Sequence, residues 1–107
     1  MTLIIKNSTP KPNDVITIRL SSGDELLAKL IEEKADTIVV SKPLALVMIR
    51  AQSGQPQMGL APFLMGTDQE IIPLNKNLCQ VIVPAAAEHA AQYLEYTTGI
   101  AMPKLVV

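Results

Sequence analysis

Reactive side chains are few in this sequence, and their spacing decides what they can do. His89 is the only histidine. A histidine-based metal site within one chain therefore has no second imidazole to draw on. With Glu88 before it and Gln92 three residues beyond, His89 is expected as a solvated helix residue. Cys79, the only cysteine, sits in the apolar run Leu78-Cys79-Gln80-Val81-Ile82-Val83. A catalytic thiol needs a neighbouring base. None stands nearby in sequence, so a buried, inert thiol is expected. Asp24, Glu25, Glu32, Glu33 and Asp36 place five acids within thirteen residues. Paired carboxylates would serve acid–base chemistry, but Lys29 and Lys34 are interleaved, which points to a charge-balanced, solvated face. The five glycines are scattered and none falls in a strand–loop–helix phosphate motif. Met48, Met58, Met65 and Met102 would suit a soft metal or an adaptable surface, with core or interface packing as the plainer expectation. No catalytic constellation emerges. The expectation is a protein that is not an enzyme and uses no cofactor and no metal.

The elements that must position these residues follow from composition and period. The chain has 107 residues, enough for one core. Hydrophobic residues make up 49% and charged residues 18%, which excludes intrinsic disorder. The formal net charge is −1, so a generally basic, nucleic-acid-coating protein is excluded, although a local basic patch is not. With so few charges on a small domain, some apolar surface is expected to meet another subunit. The run Thr2-Leu3-Ile4-Ile5 is too short for a signal-peptide core. The longest dense apolar run, Leu44 to Ile49, falls far short of the ~20 residues that span a bilayer. A cytoplasmic protein without membrane contact is expected.

Residues 1–14 read as an N-terminal arm broken by Pro10 and Pro12, with a short strand at 2–6 before them. From Val15 to Leu20 the period is two. Gly23 supplies a turn that takes positive φ. Residues 24–34 are strong helix formers, yet a strand precedes them and a β-rich run follows. Leu26, Ala28 and Leu30 would share one face of a strand and Leu27, Lys29 and Ile31 the other, so strand is expected against local preference. Further strands are expected at 37–40, interrupted by Pro43, then at 44–51, 58–65 with a bend at Pro62, 70–74 and 78–83. Pro84 suits the first position of a helix running from Ala85 to Thr98 and stopped by Gly99. Ala86, Ala90, Tyr93, Leu94 and Thr97 give that helix one buried face. The tail Ile100 to Val107 is apolar and contains Pro103.

Ile18-x-Leu20-x-x-Gly23-x4-Ala28-x-Leu30, followed by Asp36, resembles the first signature of the Sm and Sm-like proteins. The run Leu78 to Pro84 looks like the closing strand of their second signature. The resemblance covers residues 15–84, about two thirds of the chain. It implies a small, strongly bent, five-stranded antiparallel barrel at 15–84, with residues 85–107 as C-terminal helix and tail. It also implies self-assembly into a homo-oligomeric ring of about five to seven subunits, in line with the way barrels and rings remove free strand edges. The family's nucleotide-facing rim falls on two loops here, carrying Asp36 and Thr37 in one and Asn75, Lys76 and Asn77 in the other.

The residues depart from the family at that rim. Val39 stands where the family carries a base-reading asparagine, and Leu74-Asn75 stand where it carries an Arg-Gly pair. A specific uridine preference is not expected, since valine offers no hydrogen bond to a base edge. Lys6, Lys42, Arg50 and Lys76, repeated around a ring, would be the route to weak RNA binding. Stacking partners are scarce, because Phe63, Tyr93 and Tyr96 are the only aromatics and both tyrosines fall on the helix. The expectation is a ring-forming scaffold, with weak RNA binding or, alternatively, a structural protein-interaction role without nucleic acid.

Overall fold

The computed structural model describes residues 9–99. Six strands run in the order β1 (Val15–Leu20), β2 (Glu25–Glu33), β3 (Thr37–Arg50), β4 (Pro56–Pro62), β5 (Ile71–Asn75) and β6 (Cys79–Pro84), followed by helix α1 (Ala87–Thr98). All pairings are antiparallel. The sheet order is β4-β3-β2-β1-β6, and β5 also pairs with β3. The fold is therefore mainly β with one C-terminal helix. The expected strand at 2–6 and the tail 100–107 lie outside the described residues. Residues 9–14 are clipped onto β2, because Asn13 N–H donates to the Leu30 carbonyl at 2.7 Å and Leu30 N–H to the Asp14 carbonyl at 2.9 Å.

Strand β2 shows tertiary context overriding propensity. Leu26, Ala28 and Leu30 enter one core and Leu27 enters a second, all of them buried. Burying a leucine is worth ~1.5–3 kcal/mol, whereas the helical preference of these residues is below ~0.7 kcal/mol each. A central strand with both faces covered collects that burial on both sides.

Strand β3 holds the architecture together. It runs unbroken through Pro43, where the sequence suggested an interruption. Between the pairs Leu27↔Leu44 and Lys29↔Ser41, β3 carries one residue more than β2. That extra residue is a bulge at Lys42-Pro43, and Lys42 takes φ 48°, a left-handed conformation costly for a side chain. The bulge exchanges the faces. Ile38 and Val40 point into the first core with Ile16, Ile18, Leu26, Leu30 and Ile72, while beyond it Leu44 joins the second core with Leu27 and Tyr93. One long, bent strand thus has β5 beside its first half and β4 beside its second. The turn at 63–70 splits what a five-stranded barrel would carry as one strand, which gives six strands instead of five.

Helix α1 lies over the second core. It does not begin at Pro84, which instead ends β6 opposite Ile16. The Ala85 N–H donates to the Val15 carbonyl at 2.9 Å, so the backbone is still committed to β1 and cannot start a helix there. Gly99 ends the helix at φ 74°, its N–H reaching the Glu95 carbonyl. Of the expected buried face, Tyr93 is 2% exposed, whereas Leu94 is 43% exposed. The Tyr93 hydroxyl donates toward the Ser41 carbonyl at 2.6 Å and lies 3.0 Å from that of Lys42. Lys42 Nζ donates to the Thr97 carbonyl at 3.2 Å, placing a cation at the negative end of the helix. Helix and bulge are therefore fastened to each other.

The hydrogen-bonded path does not close on itself. Among the described strands β6 pairs only with β1, and β4 and β5 pair only with β3.

Candidate functional site

The five residues singled out from sequence come together. Thr37, the first residue of β3, pairs with Asn75, the last of β5. That register sets the turn containing Asp36 beside the three-residue 3-10 turn Lys76–Leu78. The Lys76 N–H donates to the Asp36 carbonyl at 3.0 Å, joining the two loops. Asn75 caps the 3-10 turn, its Oδ1 accepting from the Asn77 N–H at 2.9 Å. The Thr37 hydroxyl donates to Asp36 Oδ1 at 3.1 Å. Asparagine and aspartate are therefore occupied in shaping their own turns.

The electrostatics of this rim are closed as well. Lys76 Nζ lies 2.7 Å from Glu33 Oε2, and its side chain is 27% exposed. Along residues 32–37 and 75–77 stand three acids, Glu32, Glu33 and Asp36, against two lysines. A phosphate approaching here would compete with an ion pair already made, in a field slightly negative overall. No aromatic lies among the rim residues. Phe63 packs against the first core, Tyr93 is buried, and Tyr96 is on the helix.

The other expected cations do not gather. Lys42 is spent on the helix terminus, and Arg50 Nη1 donates to the Gly54 carbonyl at 3.1 Å at the far hairpin tip. Lys6 lies outside the described residues. Cys79 is only half-buried. Its thiol is 3.6 Å from the Asn75 carbonyl, and burial pushes its pKa up while Lys76 pulls it back. His89 is not a fully solvated helix residue: it is half-buried, and its Nδ1 is shielded without a hydrogen-bond partner among the described residues. Among the described residues no group of three or more His, Cys, Asp or Glu could hold a metal ion. No described helix is long and apolar enough to cross a membrane.

Of the core or interface packing expected for the methionines, the core alternative does not hold for Met48, Met58 and Met65, and Met102 lies outside the described residues. Met48, Met58 and Met65 are 64%, 46% and 86% exposed. Met48 and Met58 face each other across β3 and β4, with Leu46 and Leu60 as the next pair on the same face. Alternation in 44–49 and 58–60 carried that signal, but it reads as a face only once the bulge at Lys42-Pro43 sets which face is which. Compared with known protein families and with curated proteins, the sequence matches none.

Proposed function

We propose that this chain is a self-assembling, non-enzymatic cytoplasmic scaffold of Sm-like type, its bent sheet curling toward a small barrel and its copies closing a ring of about five to seven. The observation that carries this reading is the open sheet with apolar side chains at both ends. On one side Ile71 of β5 and Met58 of β4 are 44% and 46% exposed, and on the other Val81 of β6 is 46% exposed. Free strand edges with apolar flanks are templates for pairing, and β6 of one copy beside the β4–β5 side of the next satisfies both. Such a contact is heterologous, so it repeats until the rotation closes. The order β4-β3-β2-β1-β6, with a 3-10 turn leading into the last strand, is in keeping with the resemblance.

Assembly takes precedence over RNA in this reading, because Lys76 is already paired with Glu33. Light scattering at low micromolar concentration tests it. The expected mass is an integral multiple of 11.6 kDa, reduced to one chain by Val81→Asp, which places a charge at the edge. A wild-type mass of one chain overturns the proposal.

A further inference from the structure

A groove runs between α1 and the β3–β4 hairpin. Its larger-mouthed part, of about 430 Å³, has Leu46, Met58 and Leu60 as floor and Gln92, Tyr96 and Gly99 along the helix. A second part, of about 480 Å³, continues past Leu46 and Met58, which line both, to His89. On the helix, residues 89, 92, 96 and 99 fall on one stripe. The floor extends the second core, because Leu46 and Leu60 already pack against Leu27, Leu44 and Tyr93.

The first part is floored by apolar side chains, with Glu95 on its helix wall, whereas the second also carries Thr17, Arg19, Asp24 and Glu25. What fits the first part is a short, extended, apolar segment, and the sequence supplies one at its mouth. Gly99 both lines the groove and ends the helix in the left-handed conformation that turns a chain aside. The next residues are Ile100-Ala101-Met102-Pro103-Lys104-Leu105-Val106-Val107, with Lys104 the one charged side chain. A proline disfavours helix and biases the residue before it toward extended backbone, and this segment carries Pro103. The stripe from Gly99 back to His89 is about 15 Å long at 1.5 Å per residue. Eight extended residues reach about 26 Å. The segment at 1–8 joins the fold through Asn13, bonded to Leu30, whereas residues 100–107 follow directly on Gly99, which lines the groove.

We propose that the groove is the docking site of the chain's own residues 100–107, which cover the Met58–Leu60 floor and pack beside Tyr96. Every group the contact uses belongs to one chain, and Met58 is shared with the strand edge proposed for assembly.

Two measurements on the full chain test it. Trypsin cuts after Lys104, and cleavage of a docked segment follows the fraction of time it is released. Cleavage at Lys104-Leu105, followed by mass spectrometry, should be at least ~10-fold slower than in a synthetic peptide of residues 100–107, and Tyr96→Asp should remove most of that protection. With methyl-labelled methionine, a cross-relaxation contact should join Met102 to Met58, unchanged on dilution. Cleavage at the peptide's rate, or no such contact, overturns the proposal. A contact seen only between differently labelled chains overturns it in favour of a neighbour's tail, and one from Met1 in favour of the N-terminal segment.

Discussion

The rim around Asp36 and Lys76 and the groove beneath α1 lie on the same scaffold and are finished in opposite ways. At the rim several polar groups of the two turns meet others of the same molecule: Thr37 with Asp36, Asn75 with the Asn77 backbone, Lys76 with both the Asp36 backbone and Glu33. The groove exposes Met48, Met58 and Tyr96, 46% or more of each. A surface whose hydrogen bonds are internally satisfied has little to gain from a ligand. A surface that leaves large apolar side chains in water gains on the order of 25 cal/mol for each Å² that something covers. If a partner binds, area bookkeeping favours the groove and the strand edges over the rim.

The largest effect is expected at Tyr93, which fastens α1 to the Ser41 and Lys42 backbone and so holds one wall of the groove. Tyr93→Ala removes a side chain 2% exposed and should cost ~3–5 kcal/mol in urea denaturation. Tyr93→Phe keeps the ring but strands the Ser41 and Lys42 carbonyls, for a cost of ~1–3 kcal/mol. In both variants the turn contacts at the rim should persist in amide exchange, since none of them involves α1.

Alkaline titration separates the same two regions without changing the fold at neutral pH. Burial pushes the Tyr93 hydroxyl from 10.0 up to about 12, against a smaller opposing effect of the Lys29 backbone. A folded pKa above the unfolded one means that the folded state holds its proton longer. The stabilisation is complete below pH 10 and is lost as pH rises from 10 toward 12. Denaturation midpoints should fall across that window in wild type, and Tyr93→Phe should flatten the fall. An equal slope in Tyr93→Phe would show that another group controls it.

At the rim the effects are smaller. Lys76→Ala breaks a partly exposed ion pair and should change stability by less than ~1 kcal/mol. Titration of labelled oligo-U and oligo-A at two salt concentrations should give weak binding at most, unaltered by Lys76→Ala. Tight binding that falls steeply with salt and needs Lys76 would reverse the ranking of rim and groove.

The smallest expected change is Gly59→Ala, in β4 between the groove residues Met58 and Leu60 but with its added Cβ turned to the opposite face. A Cβ there would stand 3.2 Å from Ile49 Cδ1, and Ile49 is 50% exposed and free to swing away. Relieving glycine's entropy in a strand offsets that adjustment, and stability should move by no more than ~0.5–1 kcal/mol. A larger loss would mean that Ile49 is held in place by a neighbouring subunit.

Much of the fold was legible in the residues. Period-two runs mark β1 and the flanks of β3, Gly23 and Gly99 mark a turn and a helix stop, and the helix at the C-terminal end follows from its spacing. The grouping of the two rim loops was legible only through the resemblance, and their closeness rests on the pairing of Thr37 with Asn75. What local sequence could not decide has a common physical cause. The helix formers of β2 become a strand because β1 and β3 bond along both its edges while a core covers each of its faces. Pro84 stays in the sheet because Ala85 still bonds to Val15. Lys42 adopts a left-handed conformation because Tyr93, Thr97 and Glu70 each hold one of its groups. In each case partners distant in sequence outweigh preferences worth only tenths of a kcal/mol per residue. Sequence alone determined that the chain would be a β-rich domain ending in a helix with apolar surface to spare. The bulge at Lys42-Pro43, by exchanging the faces of β3, decided where that surface would be.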